Sequence, residues 1–367
     1  PMWFSKNGEE PIFKYSYNYQ NWYPSVEFET KNARENVGLF DLTVFSKYDL
    51  KGKKTFDELQ KICTANIKNE VGKTTYTQML NKDGGIEADL TVVCLDKDYF
   101  RIITSAASRE HDKFHILKLI SEEIEFKDVT EEVACFGVFG PKSRNLMRAL
   151  SNDDFSNESI KFGTFKKIKI NNKEILAQRL SYVGEIGYEL YCDINESKDI
   201  FNLIIEKGKE FKLSLCGMLA MDTMRMESGY LHWGHDISPE ENQYEAGLRF
   251  AISYKKDLDF IGKEALLKIK DKKLSKKFIM LTLKDSKPGY PLMLHDEPIY
   301  INDKIIGKTT SANYSFNYKK NLAFGYVKSE EIIDIKKGQK LYIEIEKVKY
   351  EASILSKPLN EKNFKKI

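Results

Sequence analysis

No apolar run in this chain approaches the roughly 18 residues that a membrane-crossing helix requires. The opening PMWFSKNGEE is neither a secretory signal nor a transit peptide. Cysteine is sparse: Cys63, Cys94, Cys135, Cys192 and Cys216 are odd in number, widely spaced and free of any C-x-x-C pairing. That pattern argues against a disulfide framework or zinc site and points to reduced thiols in a cytoplasmic setting. An excess of charge is lacking too. The formal net charge is +3, abundant Lys being nearly balanced by Asp and Glu, which gives no case for nucleic acid or an anionic membrane as partner. Low-complexity and coiled-coil segments are absent. A start at Pro1-Met2 leaves room for a longer parent chain.

What is present is a chain of 367 residues, long enough for two or three domains. Its first 30 residues hold Trp3, Phe4, Phe13, Tyr15, Tyr17, Tyr19, Trp22 and Tyr23. Such a leader is too aromatic for a free tail and is expected to pack on the body or on a partner. Patterning predicts a short helix over 31–35, strand alternation over 38–52 and a helix over 55–64. Strands follow over 76–80 and 89–95, about an Asn-Lys-Asp-Gly-Gly turn, and over 99–105. A helix over 110–121 is expected to present Phe114, Leu117 and Leu119/Ile120 as its apolar face. After a strand, a Gly-Pro turn and a helix across 134–150, strands are expected over 162–170 and 174–183, with helices over 199–207 and 217–228. The Lys-rich stretch 271–277 reads as a domain boundary. Beyond it, strands at 278–283, 299–301, 305–311, 322–327, 339–345 and 350–355 suggest a small barrel or jelly roll.

Three places carry chemistry. In Arg179–Cys192 two strand-like runs flank Gly184-Glu185-Ile186-Gly187. A four-residue turn there would pair Val183 with Tyr188 and set Tyr182 opposite Glu189, ring and carboxylate on one face. That pair suits a flat heterocycle, whose parallel N–H groups a carboxylate accepts; a glutamate on an outer face fits the same pattern. Asp89 stands at the mouth of an apolar strand, as a local cap or as a functional group with a tuned pKa. Arg225 borders the stripe Met218, Met221 and Met224, either snorkelling to solvent or fixed in a cavity. His232, His235 and Asp236 lack the helical spacing and supporting partners of a metal site, so no metal is expected.

Three landmarks stand in one order: GG-x-x-x-D (Gly84-Gly85…Asp89), Y-x-G-E-x-G-x-E (Tyr182…Glu189) and R-x-E-x-G (Arg225-Met226-Glu227-Ser228-Gly229). With GVFGP (137–141), EAGL (245–248), FIGKEAL (260–266) and NLAFGYV (321–327), they resemble the folate-binding aminomethyltransferases, whose type member is the glycine-cleavage T-protein. The likeness runs from about Val37 to Leu355. The leader PMWF…NWYPSVEFE, the segment GLFDLTVFSKYDLKG and TTSANYSFNYKKNLAFGYV are similar to the tetrahydrofolate-binding C-terminal half of dimethylglycine and sarcosine dehydrogenases. Arg179-Leu180-Ser181-Tyr182-Val183-Gly184-Glu185 departs from the K-G-C-Y-x-G-Q signature of the iron–sulfur-assembly relatives, which argues against that role.

The resemblance implies an α+β, three-lobed fold: 1–49 with 136–274, an inserted lobe over 50–135, and a β-rich, barrel- or jelly-roll-like lobe over 275–367. Tetrahydrofolate is the implied cofactor, bound in a central channel. Carried over by position, Glu189 holds the pterin with Tyr182 beside it, and Arg225 and Met79 contact the folate. Ser105 stands where T-proteins have Asn, and His235 where they have Asn or Gln. Asp89 is the implied catalytic group near N5 and N10. The expected reaction forms 5,10-methylenetetrahydrofolate from an iminium or aminomethyl donor derived from an N-methylated glycine. Alternatives are a T-protein fed by a lipoyl carrier, a demethylase giving 5-methyltetrahydrofolate, and a non-catalytic folate-binding module. The expected partners are folate, a small amine-derived donor, and a flavin-dependent oxidase on another chain or domain, since no G-x-G-x-x-G occurs here.

Overall fold

Three sheets, each folded over its own apolar core, account for the strand patterns of the sequence. The computed structural model describes residues 1–5, 9–331 and 340–365. The first strands and helices are α1 (Tyr23–Glu35), β1 (Val37–Asp41), β2 (Ser46–Lys51), α2 (Thr55–Ile62), β3 (Thr74–Leu80), β4 (Ile86–Asp96) and β5 (Tyr99–Thr104). Then come α3 (Arg109–Leu119), β6 (Glu125–Asp128), β7 (Val133–Phe139), α4 (Ser143–Leu150), β8 (Phe165–Ile170), β9 (Lys173–Gln178) and β10 (Gly187–Asp193). The middle ends with α5 (Ser197–Gly208), β11 (Leu213–Cys216), α6 (Met218–Glu227) and α7 (Lys263–Lys270). Last are β12 (Lys276–Leu283), β13 (Pro298–Ile301), β14 (Lys304–Ser315), β15 (Lys320–Lys328), β16 (Leu341–Ile345) and β17 (Val348–Leu355).

One sheet runs β11-β1-β7-β10-β9-β8, a second β3-β4-β5-β2-β6, and the third closes as the barrel β12-β15-β14-β13-β16-β17. The fold is therefore α+β and three-lobed, with a C-terminal barrel. Of the strand expected over 339–345, Gln339 lies outside the described residues. No helix among the described residues is long and apolar enough to cross a membrane.

Four local expectations are corrected. The helix expected over 31–35 begins at Tyr23; Pro24 sits in its first turn, where a missing N–H removes no helical bond. On α3 the buried residues are Asp112 and Ile116, whereas Phe114 is 65% and Leu117 42% exposed. The hydroxyls of Thr104 and Ser108 donate to the Asp112 carboxylate and turn that face inward. The strand expected to reach 183 stops at Gln178, and Glu189 lies opposite Gln178, not Tyr182.

The fourth correction follows from the third: residues 179–186 form a loop, not a four-residue turn, because their polar groups find distant partners. Arg179 donates to the Ile160 carbonyl, Arg34 to the Val183 carbonyl at 2.6 Å, and the Gly140 N–H to Ile186 at 2.8 Å. Glu185 is fully enclosed, paired with Arg34 and Lys362. Gly184 has φ +73°, and an added Cβ would lie 2.0 Å from Ser228 Oγ.

The aromatic leader turns back on the body. Trp3 packs on Phe13 and Trp22, and this cluster meets Tyr23, Tyr314 and Phe316, while Tyr15 and Tyr17 stay exposed. A second tether reaches β4. Trp233 Nε1 donates to the Ile86 carbonyl at 3.0 Å, and the Ile86 N–H to that of Glu241 at 3.0 Å. Gly85 permits this approach: a Cβ there would stand 2.0 Å from the Pro239 carbonyl oxygen.

Candidate functional site

Asp89 sits on β4 directly opposite Gln78 on β3, and the Gln78 amide donates to its Oδ1 at 2.7 Å. The hydroxyl of Tyr76, two residues along β3, also bonds the carboxylate. Burial pushes the Asp89 carboxyl up to about 6; Gln78 and Tyr76 pull it down, and the Asp112 charge adds to the rise. Its side chain nonetheless keeps some solvent contact. The donors that Asp89 meets are side chains of β3 rather than local backbone N–H groups. Tyr76 and Gln78, on one face of β3, are neighbours of Asp89 that sequence reasoning missed, since only strand pairing brings them to it.

Tyr182 projects from the loop 179–186, donates to the Leu231 carbonyl at 2.8 Å and stacks on Tyr230 at 5.9 Å. It lies within electrostatic range of Asp89, Asp222, Arg225 and Asp236, so these groups share one neighbourhood. Arg225, on α6, is 1% exposed. Its Nε donates to Asp222 at 2.8 Å, Nη1 to Asp236 at 2.6 Å and to the Tyr230 carbonyl at 3.1 Å, and Nη2 to Ser311 at 2.8 Å. Burial works to lower the guanidinium pKa, but Asp222 and Asp236 outweigh it and raise it. Burial likewise opposes ionisation of Asp222, and Arg225 more than offsets this, leaving that carboxyl below its usual range. Asp236 also accepts from Thr310 on β14 at 2.6 Å. Arg225 therefore ties α6 to the barrel rather than snorkelling.

Glu189, on β10, accepts from Tyr191 at 2.7 Å through Oε2. Burial raises its carboxyl above the usual range, against the pull of Tyr191. Tyr191 and Tyr182 belong to one apolar cluster with Phe45, Ile103, Met218, Met221 and Met224. That cluster joins the Glu189 end of the site to the Asp89 end. Gln178, opposite Glu189, is fully buried, and neither of its amide atoms has a partner among the described residues.

The remaining predicted residues are placed as follows. Met79 is fully buried in the core of the second sheet, with Cys63, Ile67 and Ala88. Ser105 follows β5; its Oγ accepts the Ala107 N–H, and its carbonyl accepts from Ser46 and Ser108. His235 is exposed, its ring 4.6 Å from His232 and 6.3 Å from His295. Among the described residues no group of three or more His, Cys, Asp or Glu side chains is placed to hold a metal ion. A cavity of about 380 Å³ lies beyond Tyr191, lined by Asp49, Tyr99 and Arg101 among others. It holds none of the predicted residues, and six of its charged side chains are paired with one another (Asp49 with Arg101, Lys127 with Glu132, Lys167 with Glu174).

Residues 1–256 match the family model described as the GCVT N-terminal domain, and residues 276–360 the glycine cleavage T-protein C-terminal barrel domain. The human mitochondrial dimethylglycine dehydrogenase is 34% identical across 98% of this chain, which spans 41% of that protein's length. The aminomethyltransferase of Thermoanaerobacter sp. (strain X514) is 31% identical, covering 95% of this chain and 94% of its own. The crystal structure of the glycine cleavage system aminomethyltransferase T from Bartonella henselae superposes with a TM-score of 0.81 at 20% identity, covering 95% of this chain and 94% of that one. That likeness is one of fold.

Proposed function

The chain belongs to the glycine cleavage T-protein family, and on that premise we propose that it transfers a one-carbon unit to tetrahydrofolate, giving 5,10-methylenetetrahydrofolate. One observation carries the reading: two carboxylates whose pKa values burial raises, Asp89 and Glu189, at the two ends of one apolar cluster that holds Tyr182 and Tyr191.

The donor set fits the folate. Tyr191 holds Glu189 through Oε2, and a carboxylate has further lone pairs for the two parallel N–H groups of a pterin edge. Tyr182 and the apolar side chains about it would flank the ring. Bound tetrahydrofolate supplies two nucleophilic nitrogens that take up the carbon. Asp89, at about 6, is ionised at neutral pH yet basic enough to accept a proton, and its charge favours the cation that develops beside it. Arg225 acts here mainly by fixing Asp222, Asp236 and the barrel. Met79, Ser105 and His235 are proposed as outer contacts only.

The proposed donor is an iminium derived from dimethylglycine or sarcosine, made by a flavin-dependent oxidase on a separate chain or domain. The match to dimethylglycine dehydrogenase along nearly the whole chain supports it. A lipoyl-borne aminomethyl group is the second reading, supported by the end-to-end match to a bacterial aminomethyltransferase. The two part on the leaving group: an amino acid (sarcosine from dimethylglycine, glycine from sarcosine) for the first, ammonia for the second. A product of 5-methyltetrahydrofolate would instead mark a demethylase. The compartment proposed is a reducing one, the cytoplasm by the sequence reading, in keeping with five free, buried cysteines.

The deciding experiment is calorimetric titration with tetrahydrofolate on the wild type and on Glu189→Gln, which keeps the shape but replaces one acceptor oxygen by a donor. Micromolar binding that weakens at least about tenfold (about 1.4 kcal/mol) in the variant is expected. No binding by the wild type overturns the folate reading.

A further inference from the structure

Gln78 and Gln243 are both fully buried, and both side chains lead toward Asp89. Gln78 donates through Nε2 to Asp89 Oδ1 at 2.7 Å and accepts through Oε1 from Gln243 Nε2 at 2.5 Å. The same Gln243 nitrogen donates to Thr64 Oγ1 at 3.0 Å, and Thr64 in turn donates to the Ala251 carbonyl at 2.9 Å. We propose that Gln78 is a positioning residue for Asp89, locked in its donor orientation by Gln243 and Thr64. The inference rests on the catalytic reading of Asp89 given above.

The direction of the chain of bonds is dictated from its acidic end. An ionised carboxylate only accepts, so Gln78 must present its NH₂ group to Asp89. Its carbonyl then points away and needs a donor, which Gln243 supplies. Both Gln243 N–H groups are used in this way, and its Oε1 is left buried with no partner among the described residues. A buried carbonyl oxygen without a donor lowers stability, and two leucines would fill the same space without it. The arrangement makes sense as a device for the carboxylate rather than for the core. A clamped donor favours the ionised form of Asp89 and fixes its rotamer, and misplacement of a proton acceptor slows a reaction steeply.

The element that brings Gln243 here is the strap tethered to β4 at Ile86, through the close approach that Gly85 permits. Gln243 and Gln78 are 165 residues apart in sequence. The groups facing Asp89 are Tyr76 and Gln78 from β3, Asp112 from α3 and Tyr182 from the loop 179–186. Among these Gln78 is the donor whose own orientation is set from behind.

The test is a direct titration of the Asp89 carboxyl by ¹³C NMR in the free protein, the resonance being assigned by its absence in Asp89→Asn. Wild type, Gln78→Leu, Gln243→Met and the double variant are compared. The midpoint is expected to rise by about one unit in Gln78→Leu and by less in Gln243→Met. The double variant, which leaves no amide stranded, should fold as well as wild type and keep the full rise. In turnover, the acid limb of kcat/KM should move with the titration while the Kd for tetrahydrofolate stays within about twofold. An unmoved midpoint in Gln78→Leu and in the double variant overturns the proposal and leaves Gln78 a packing residue. A shifted midpoint in a protein without folate-dependent turnover upholds the positioning and overturns the functional reading instead.

Discussion

The hydroxyl of Tyr191 donates to Glu189 Oε2 at 2.7 Å, two residues along the same strand and on the same face of the sheet. This bond opposes the rise that burial imposes on the Glu189 carboxyl. Tyr191→Phe should therefore raise the Glu189 pKa further and weaken tetrahydrofolate binding by about 3- to 10-fold, the usual net worth of one hydrogen bond. Calorimetry at pH 6 and pH 8 checks this, with the larger loss expected at the lower pH.

Asp89→Asn separates chemistry from folding. Turnover should fall by about 10²- to 10⁴-fold, the usual worth of a general base, with folate binding kept. The raised pKa, from 3.8 to about 6, means that the native state binds the proton more tightly than the unfolded chain. Its contribution to stability is full below the unfolded pKa and is lost as pH rises through about 6. The variant, whose side-chain oxygen still accepts from Gln78, should be more stable than wild type by about 1–3 kcal/mol at pH 8. That gap should shrink toward nothing near pH 4. Denaturant melts across this range test the sign; unchanged turnover in the variant would favour a non-catalytic folate-binding module.

Gly85→Ala should be harmful although the residue is small and lies in a turn. Its Cβ would stand 2.0 Å from the Pro239 carbonyl oxygen, a backbone atom that cannot swing aside. A loss of about 3 kcal/mol is expected, as for overpacking of a tight contact. Because the displaced strap carries Gln243, activity should fall further than the stability loss accounts for. Urea melts and turnover measured side by side show whether the two losses differ.

Arg225→Lys should show how much the barrel depends on one side chain. Lysine keeps the charge but cannot reach Asp222, Asp236, the Tyr230 carbonyl and Ser311 together, as the planar guanidinium does. A loss of about 3 kcal/mol is expected, at the low end for breaking a buried ion pair. Limited proteolysis should then cut first near the 271–277 connection, and an unaltered melt and digest would refute the tether.

The sequence by itself determined the family and the three-lobed class, because these rest on local signals: alternating strands, turn glycines and short motifs in fixed order. It also marked out Asp89, Tyr182, Glu189 and Arg225, whose types and spacing stand out within a few residues. Tertiary structure decided how they are held. The end of β9 at Gln178 is set by Arg34, Ile160 and Gly140, which satisfy the backbone or the side chains of the loop from far along the chain. Met79, given by the resemblance as a folate contact, has its place in the core of the second sheet from packing that no local pattern shows. Tyr76, Gln78 and Gln243 became visible only once two strands and a strap were brought together. A hydrogen-bond partner is chosen by proximity in space: Arg34 donates through Nε to Glu227 at a sequence separation of 193, over which no local pattern carries information.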